Sequence, residues 1–70
     1  MLNRLSVVSA SIEVNEYIEK FKEIKPQLDM AIEWPIEEII ITNHGCKPKL
    51  VMKITKYLNQ HGISVHVKTE

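Results

Sequence analysis

The chain has 70 residues and nine acidic against nine basic side chains, so its formal net charge is zero. This length predicts one small domain with a thin core, and 44% apolar with 26% charged residues is a globular composition, not a disordered one. One cysteine, two glycines and apolar runs of at most three residues exclude an internal disulfide, a Cys-based zinc site, a glycine-rich nucleotide loop and a membrane-spanning helix.

The compartment and the oligomeric state follow from the same features. The lone Cys46 and the lack of an apolar stretch near Met1 predict a cytoplasmic protein, in a compartment where thiols stay reduced. So small a core predicts a homodimer, because association supplements a thin interior. We expect no cofactor and no metal, since the histidines and the cysteine do not converge on one point of the predicted fold.

The first half of the chain is predicted to form a strand, a helix and a second strand. Residues 4–10 are short and rich in Val and Leu, which indicates a strand. A helix is predicted over 11–25, with Ser11 as N-cap and an end before Pro26. Residues 28–34 alternate between apolar and polar side chains, which predicts a strand with Trp34 on its buried side.

The second half is predicted to form a strand, a helix and a last strand. Residues 36–42 have an almost continuous apolar end, typical of a central strand. Pro48 suits the first turn of a helix that ends before Gly62. Residues 63–68 alternate again and predict the last strand.

This order is that of the ferredoxin-like split βαββαβ fold. It predicts an α+β domain over 1–70 with a four-stranded antiparallel sheet and two helices on one of its faces. An alternative continues helical structure through 26–34 and leaves a three-stranded βαβαβ sheet. The strict alternation of 28–34 favours the four-stranded form.

The loop at 43–47 is the place where chemistry is most plausible. A thiol at Cys46 would feel the positive end of the following helix dipole and nearby lysines, which lowers a thiol pKa. His44 would then serve as its base. Cys46 and His44 are therefore the candidate catalytic residues, and the competing interpretation is an ordinary turn with a buried cysteine.

Two families share parts of this pattern. Residues 46–53 resemble the small sulfur-relay proteins, although Lys47 follows the cysteine where those proteins have proline. Residues 50–67 are similar in rhythm to the cysteine-phosphorylated sugar-transport subunits, in which the cysteine lies in an N-terminal unit. We assign the chain to neither, and both resemblances imply sulfur or phosphoryl transfer through Cys46 as an alternative function.

Residues 43–69 contain five lysines and no acidic residue, which predicts a local basic surface. The candidate anion-binding residues are Lys47, Lys49, Lys53 and Lys56. They permit weak binding of a nucleic-acid backbone, which we do not favour because the net charge is zero and the predicted strands offer no exposed aromatic side chain. The function that the sequence predicts is a small protein-interaction or regulatory module, without catalysis of its own, that dimerises or binds a partner.

Overall fold

The structure is a computed structural model that describes residues 9–34 and 36–70. Within these residues strands and helices alternate: β1 (Ser9–Asn15), α1 (Phe21–Glu33), β2 (Glu38–His44), α2 (Pro48–Gln60) and β3 (Ser64–Thr69). The strands form one parallel sheet in the order β1, β2, β3. The predicted ferredoxin-like fold with its four-stranded antiparallel sheet is therefore wrong.

The first error concerns the helix predicted over 11–25. Residues 9–15 are instead β1, whose side chains alternate between exposed and buried, with Ile12 and Val14 in the core. A period of two is that of a strand. The strand predicted over 4–10 reaches the described residues only at Ser9 and Ala10, which belong to β1, and its other residues lie outside the described part of the chain.

The second error concerns residues 28–34, predicted as a strand. They lie in and just after α1, which runs through Pro26 without ending. Ile24, Leu28 and Ala31 are all buried, and their spacing of four and three residues is that of one helical face. Burial of this face outweighs the helix-breaking effect of Pro26, which lies on the exposed side. Trp34, expected inside, is 65% exposed.

In the second half of the chain, the bounds of both strands and of the helix lie within two residues of the predicted bounds. β2 covers most of the predicted strand, α2 begins at Pro48 as expected, and β3 lies one residue beyond its predicted start. Gly62 follows α2 with φ +80°, a left-handed conformation that favours glycine. None of the helices in the described ranges has the length and apolarity needed to cross a membrane.

Both helices cover the same face of the sheet. Right-handed crossovers in the strand order 1-2-3 place successive helices on one side. The sheet residues under them are apolar, and the fully buried ones pack against Leu28, Ile54 and Leu58. The other face, here called the open face, is mainly polar. Its residues are Ser9, Ser11, Glu13, Asn15, Glu38, Ile40, Thr42, His44, Ser64, His66 and Lys68.

Candidate functional site

The last residues of the three parallel strands and the loops that follow them form one edge of the sheet. In parallel α/β sheets the carboxyl ends of the strands and the N-termini of the helices lie together, and ligands bind there. In this chain the edge includes residues 16–20 after β1 and residues 45–47 after β2. All candidate catalytic residues, and the first of the candidate anion-binding residues, lie at or near it.

Cys46 lies in the core. Its side chain is 4% exposed and belongs to the buried apolar cluster. The Cys46 backbone N–H donates to Oδ1 of Asn43 at 2.7 Å, and Gly45 takes φ +91°, so the loop forms a tight turn beneath α2. Burial raises the pKa of the Cys46 thiol and outweighs the opposite effects of the Lys47 backbone hydrogen bond and charge. This environment favours the neutral thiol, which is the weaker nucleophile.

His44 is turned to the open face instead of toward the thiol. Its Nε2 lies 3.3 Å from a carboxylate oxygen of Glu13 on the neighbouring strand. Within the part of the chain that the structure describes, the side chains of His44 and Cys46 share no hydrogen bond. The two candidate catalytic residues are therefore close in sequence without forming a nucleophile and base.

The candidate lysines do come together. Lys47, Lys49 and Lys53 line one open depression of about 360 Å³, and Lys53 and Lys56 line an adjoining one of about 290 Å³. The first depression is also lined by Lys20, which precedes α1. We call these five residues the lysine surface.

The charges of the lysine surface are largely uncompensated. Among the described residues, none of its ammonium groups forms an ion pair. Among the described residues that line the first depression, Glu19 alone is acidic. Lys53 places its Nζ 5.3 Å from the ring centroid of Phe21, a cation–π arrangement that keeps the charge beside the groove. Five like charges around two adjoining depressions attract an anionic surface.

A second cluster joins the two helices beside this groove. The Tyr57 hydroxyl donates to Asp29, and Lys25 donates to the same carboxylate at 2.7 Å. The hydrogen bond from Lys25, followed by that from Tyr57, lowers the pKa of Asp29, and the bond to Asp29 raises the pKa of Tyr57. Phe21 packs edge-on against Tyr57 with centroids 5.2 Å apart. These aromatic rings are engaged in helix packing.

Sequence reasoning missed Lys20 and the exposed apolar residues. Lys20 lies near Lys47 because both helices start at the same end of a parallel sheet. The predicted antiparallel sheet would have placed the two helix starts at opposite ends. Met30 and Trp34, beside β1, are 60% and 65% exposed. Met52, on the neighbouring helix α2, and Val67, in β3, are 71% and 44% exposed. The helical spacing of Ile24, Leu28 and Ala31 is the sequence signal that could have placed Met30 and Trp34 outside, where the strand prediction placed them inside.

Within residues 9–34 and 36–70, no three His, Cys, Asp or Glu side chains are grouped as metal ligands would be. Comparison with protein-family models, with curated proteins and with solved structures finds no match to this chain.

Proposed function

We propose that this protein is a small cytoplasmic interaction module, without catalysis of its own, whose lysine surface binds an acidic partner protein. The observation that carries the proposal is the convergence of Lys20, Lys47, Lys49 and Lys53, from two different helix starts, around one depression. Among the described residues these lysines form no ion pair, so a carboxylate of the bound protein can pair with them without breaking an existing ion pair.

The features around the lysine surface favour a protein over a nucleic acid. Proteins that bind single strands stack bases on exposed aromatic rings. Here Phe21 and Tyr57 contact each other, Lys53 lies over Phe21, and the Tyr57 hydroxyl is bound to Asp29. The described strands contain no aromatic residue. The zero net charge also differs from the basic balance typical of nucleic-acid-binding domains.

The burial of Cys46 and its raised pKa weigh against the alternative of thiol-dependent transfer. A relay cysteine must be accessible and must reach the thiolate form, and a thiol in an apolar core does neither readily.

Binding of a labelled oligoglutamate peptide, measured by fluorescence anisotropy at low and at physiological salt, tests the proposal. The double variant Lys47→Gln/Lys49→Gln is expected to weaken binding about tenfold, which corresponds to ~1.4 kcal/mol. The control Lys22→Gln removes one charge from an exposed position outside both proposed surfaces, and it is expected to change binding much less than the single variant Lys47→Gln.

Equal losses in Lys22→Gln and Lys47→Gln would mean that only net charge matters, and the proposed site would be wrong. Single-stranded DNA of matched charge is the comparison ligand. Tighter binding of the DNA than of the peptide, with a steep salt dependence, would replace the acidic protein by a nucleic-acid backbone as the partner.

A further inference from the structure

The outer edge of β3 is the second surface of interest. β3 pairs with β2 on one side, and on its other side no strand of the described residues lies beside it. Backbone N–H and C=O groups along such an edge are a template for pairing with another chain. An open groove of about 510 Å³ follows the edge, between β3 and α2, and the exposed apolar residues Met52 and Val67 line it with Val51.

We propose that β3 pairs antiparallel with β3 of a second copy, around a twofold axis at His66. Residues directly opposite in an antiparallel pair lie on the same face of the sheet. With the axis at His66, Val65 stands opposite Val67 of the second copy, and the same contact repeats by symmetry. Both valines lie on the helix-covered face, in rows with Ile39 and Ile41. The pairing therefore extends the apolar layer and brings the two grooves together.

Charge complementarity on the open face favours this register. Ser64, a small residue, stands opposite Lys68 of the second copy. Glu38 is the neighbour of Ser64 on β2, so the lysine reaches across Ser64 to the Glu38 carboxylate. In its own chain Lys68 is opposite Thr42 and forms no ion pair with a described residue. Glu38 is bound at 3.0 Å to His66 through one carboxylate oxygen and has the other oxygen available.

The other sheet edge does not offer the same match with itself. β1 carries Glu13 on the open face and no basic residue. Glu13 already lies 3.3 Å from His44 of its own chain, so pairing of β1 with β1 brings no unpaired lysine to a carboxylate. Pairing of β3 with β1 of another copy could join Lys68 to Glu13, but such a head-to-tail contact is heterologous and builds chains or rings.

Disulfide trapping of the variant His66→Cys tests both the surface and the register. At the twofold axis the two Cα atoms would lie about 4.5 to 5.5 Å apart, within the range that a disulfide spans. Oxidation with diamide is expected to convert this variant to a covalent dimer. In the control Ser64→Cys the two positions lie about 14 Å apart, four residues along the strands, so no covalent dimer is expected. Cys46 is present in both variants and is buried.

Sedimentation equilibrium of the protein without new cysteines supplies an independent measurement. The wild-type chain is expected to form a dimer, Lys68→Glu to weaken it about tenfold, and Glu38→Lys/Lys68→Glu to restore it by exchanging the charges. A wild-type monomer at all accessible concentrations would overturn the proposal. So would equal trapping of both cysteine variants, or a ladder of higher oligomers without trapping at position 66, which would indicate the head-to-tail contact.

The two proposals fail separately. Lys68→Glu alters the β3 edge, whereas Lys47→Gln/Lys49→Gln alters two residues that line the first depression and do not line the groove along β3. A wild-type chain that dimerises but does not bind the peptide would disprove the lysine surface alone, and a wild-type monomer that binds the peptide would disprove the β3 pairing alone.

Discussion

At the residue scale, surroundings decide what Cys46 can do. The sequence places this cysteine just before a helix start, with lysines on either side of Pro48, a pattern that lowers a thiol pKa when the thiol faces water. In the fold the side chain points into the core, where the charged form loses solvation. Loss of solvation has the largest effect on the thiol pKa, because the apolar surroundings disfavour the thiolate more than the helix dipole and the lysine charges favour it.

Alkylation of Cys46 is therefore expected to be slow in the native protein. Its pH midpoint should lie above the ~8.5 of a free thiol, because burial raises the pKa. The measurement compares the iodoacetamide rate against pH for native and unfolded protein. Ser11→Cys in a Cys46→Ala background provides an exposed thiol as control. Fast native labelling with a midpoint below that of the unfolded protein would restore the thiolate hypothesis.

At the scale of the element, α1 stays helical although it contains a proline, Pro26, in its interior. Pro26 has no N–H to donate to the carbonyl of Lys22, and its ring crowds that carbonyl. The helix continues because Ile24, Leu28 and Ala31 are buried on its other side. Full burial of one Leu or Ile side chain contributes about 1.5 to 3 kcal/mol, so burial of Ile24 and Leu28 together contributes at least the ~3 kcal/mol that the proline costs.

Replacing Pro26 with alanine is expected to raise the free energy of unfolding by about 1 to 3 kcal/mol. The change restores a helical hydrogen bond at an exposed position, and greater freedom of the unfolded chain offsets part of the gain. Urea denaturation followed by circular dichroism measures it. Gln27→Ala, at the neighbouring exposed position, should change stability by less than about 0.5 kcal/mol. No gain in Pro26→Ala would show that the proline is accommodated without cost.

At the scale of the whole molecule, the two helices are joined by a polar cluster as well as by the core. Asp29 on α1 accepts hydrogen bonds from Lys25 of the same helix and from Tyr57 on α2. The hydrogen bond from Lys25 has the largest effect on the pKa of Asp29, and both it and the bond from Tyr57 lower that pKa. A carboxylate with a lowered pKa in the folded state stabilises the fold above its unfolded pKa, and that stabilisation is lost as the pH falls through the folded value.

Asp29→Asn is therefore expected to destabilise the protein at neutral pH, and the difference from wild type should shrink as the pH falls below about 4. Thermal unfolding at a series of pH values from neutral to acid measures this difference. Glu33→Gln removes the same charge from an exposed position of α1 and serves as control. A difference that stays constant across the acid range would contradict a role for ionised Asp29.

The sequence by itself determined the second half of the fold and three of the lysines that meet in one groove. β2, α2 and β3 were predictable because an apolar run, a proline at a helix start and a glycine after its end all agree there. Lys47, Lys49 and Lys53 follow from the position of that helix.

Only the tertiary structure decided the first half, because residues 28–34 carry two patterns at once. Alternation would bury Met30 and Trp34 in a strand, whereas helical spacing buries Leu28 and Ala31. Packing of α1 against α2, with Asp29 bonded to Tyr57, selects the helix. That choice makes the sheet parallel, which brings Lys20 to Lys47 and leaves β3 at one edge of the sheet that the described residues form. Contacts between residues distant in sequence set these features, and no local pattern encodes them.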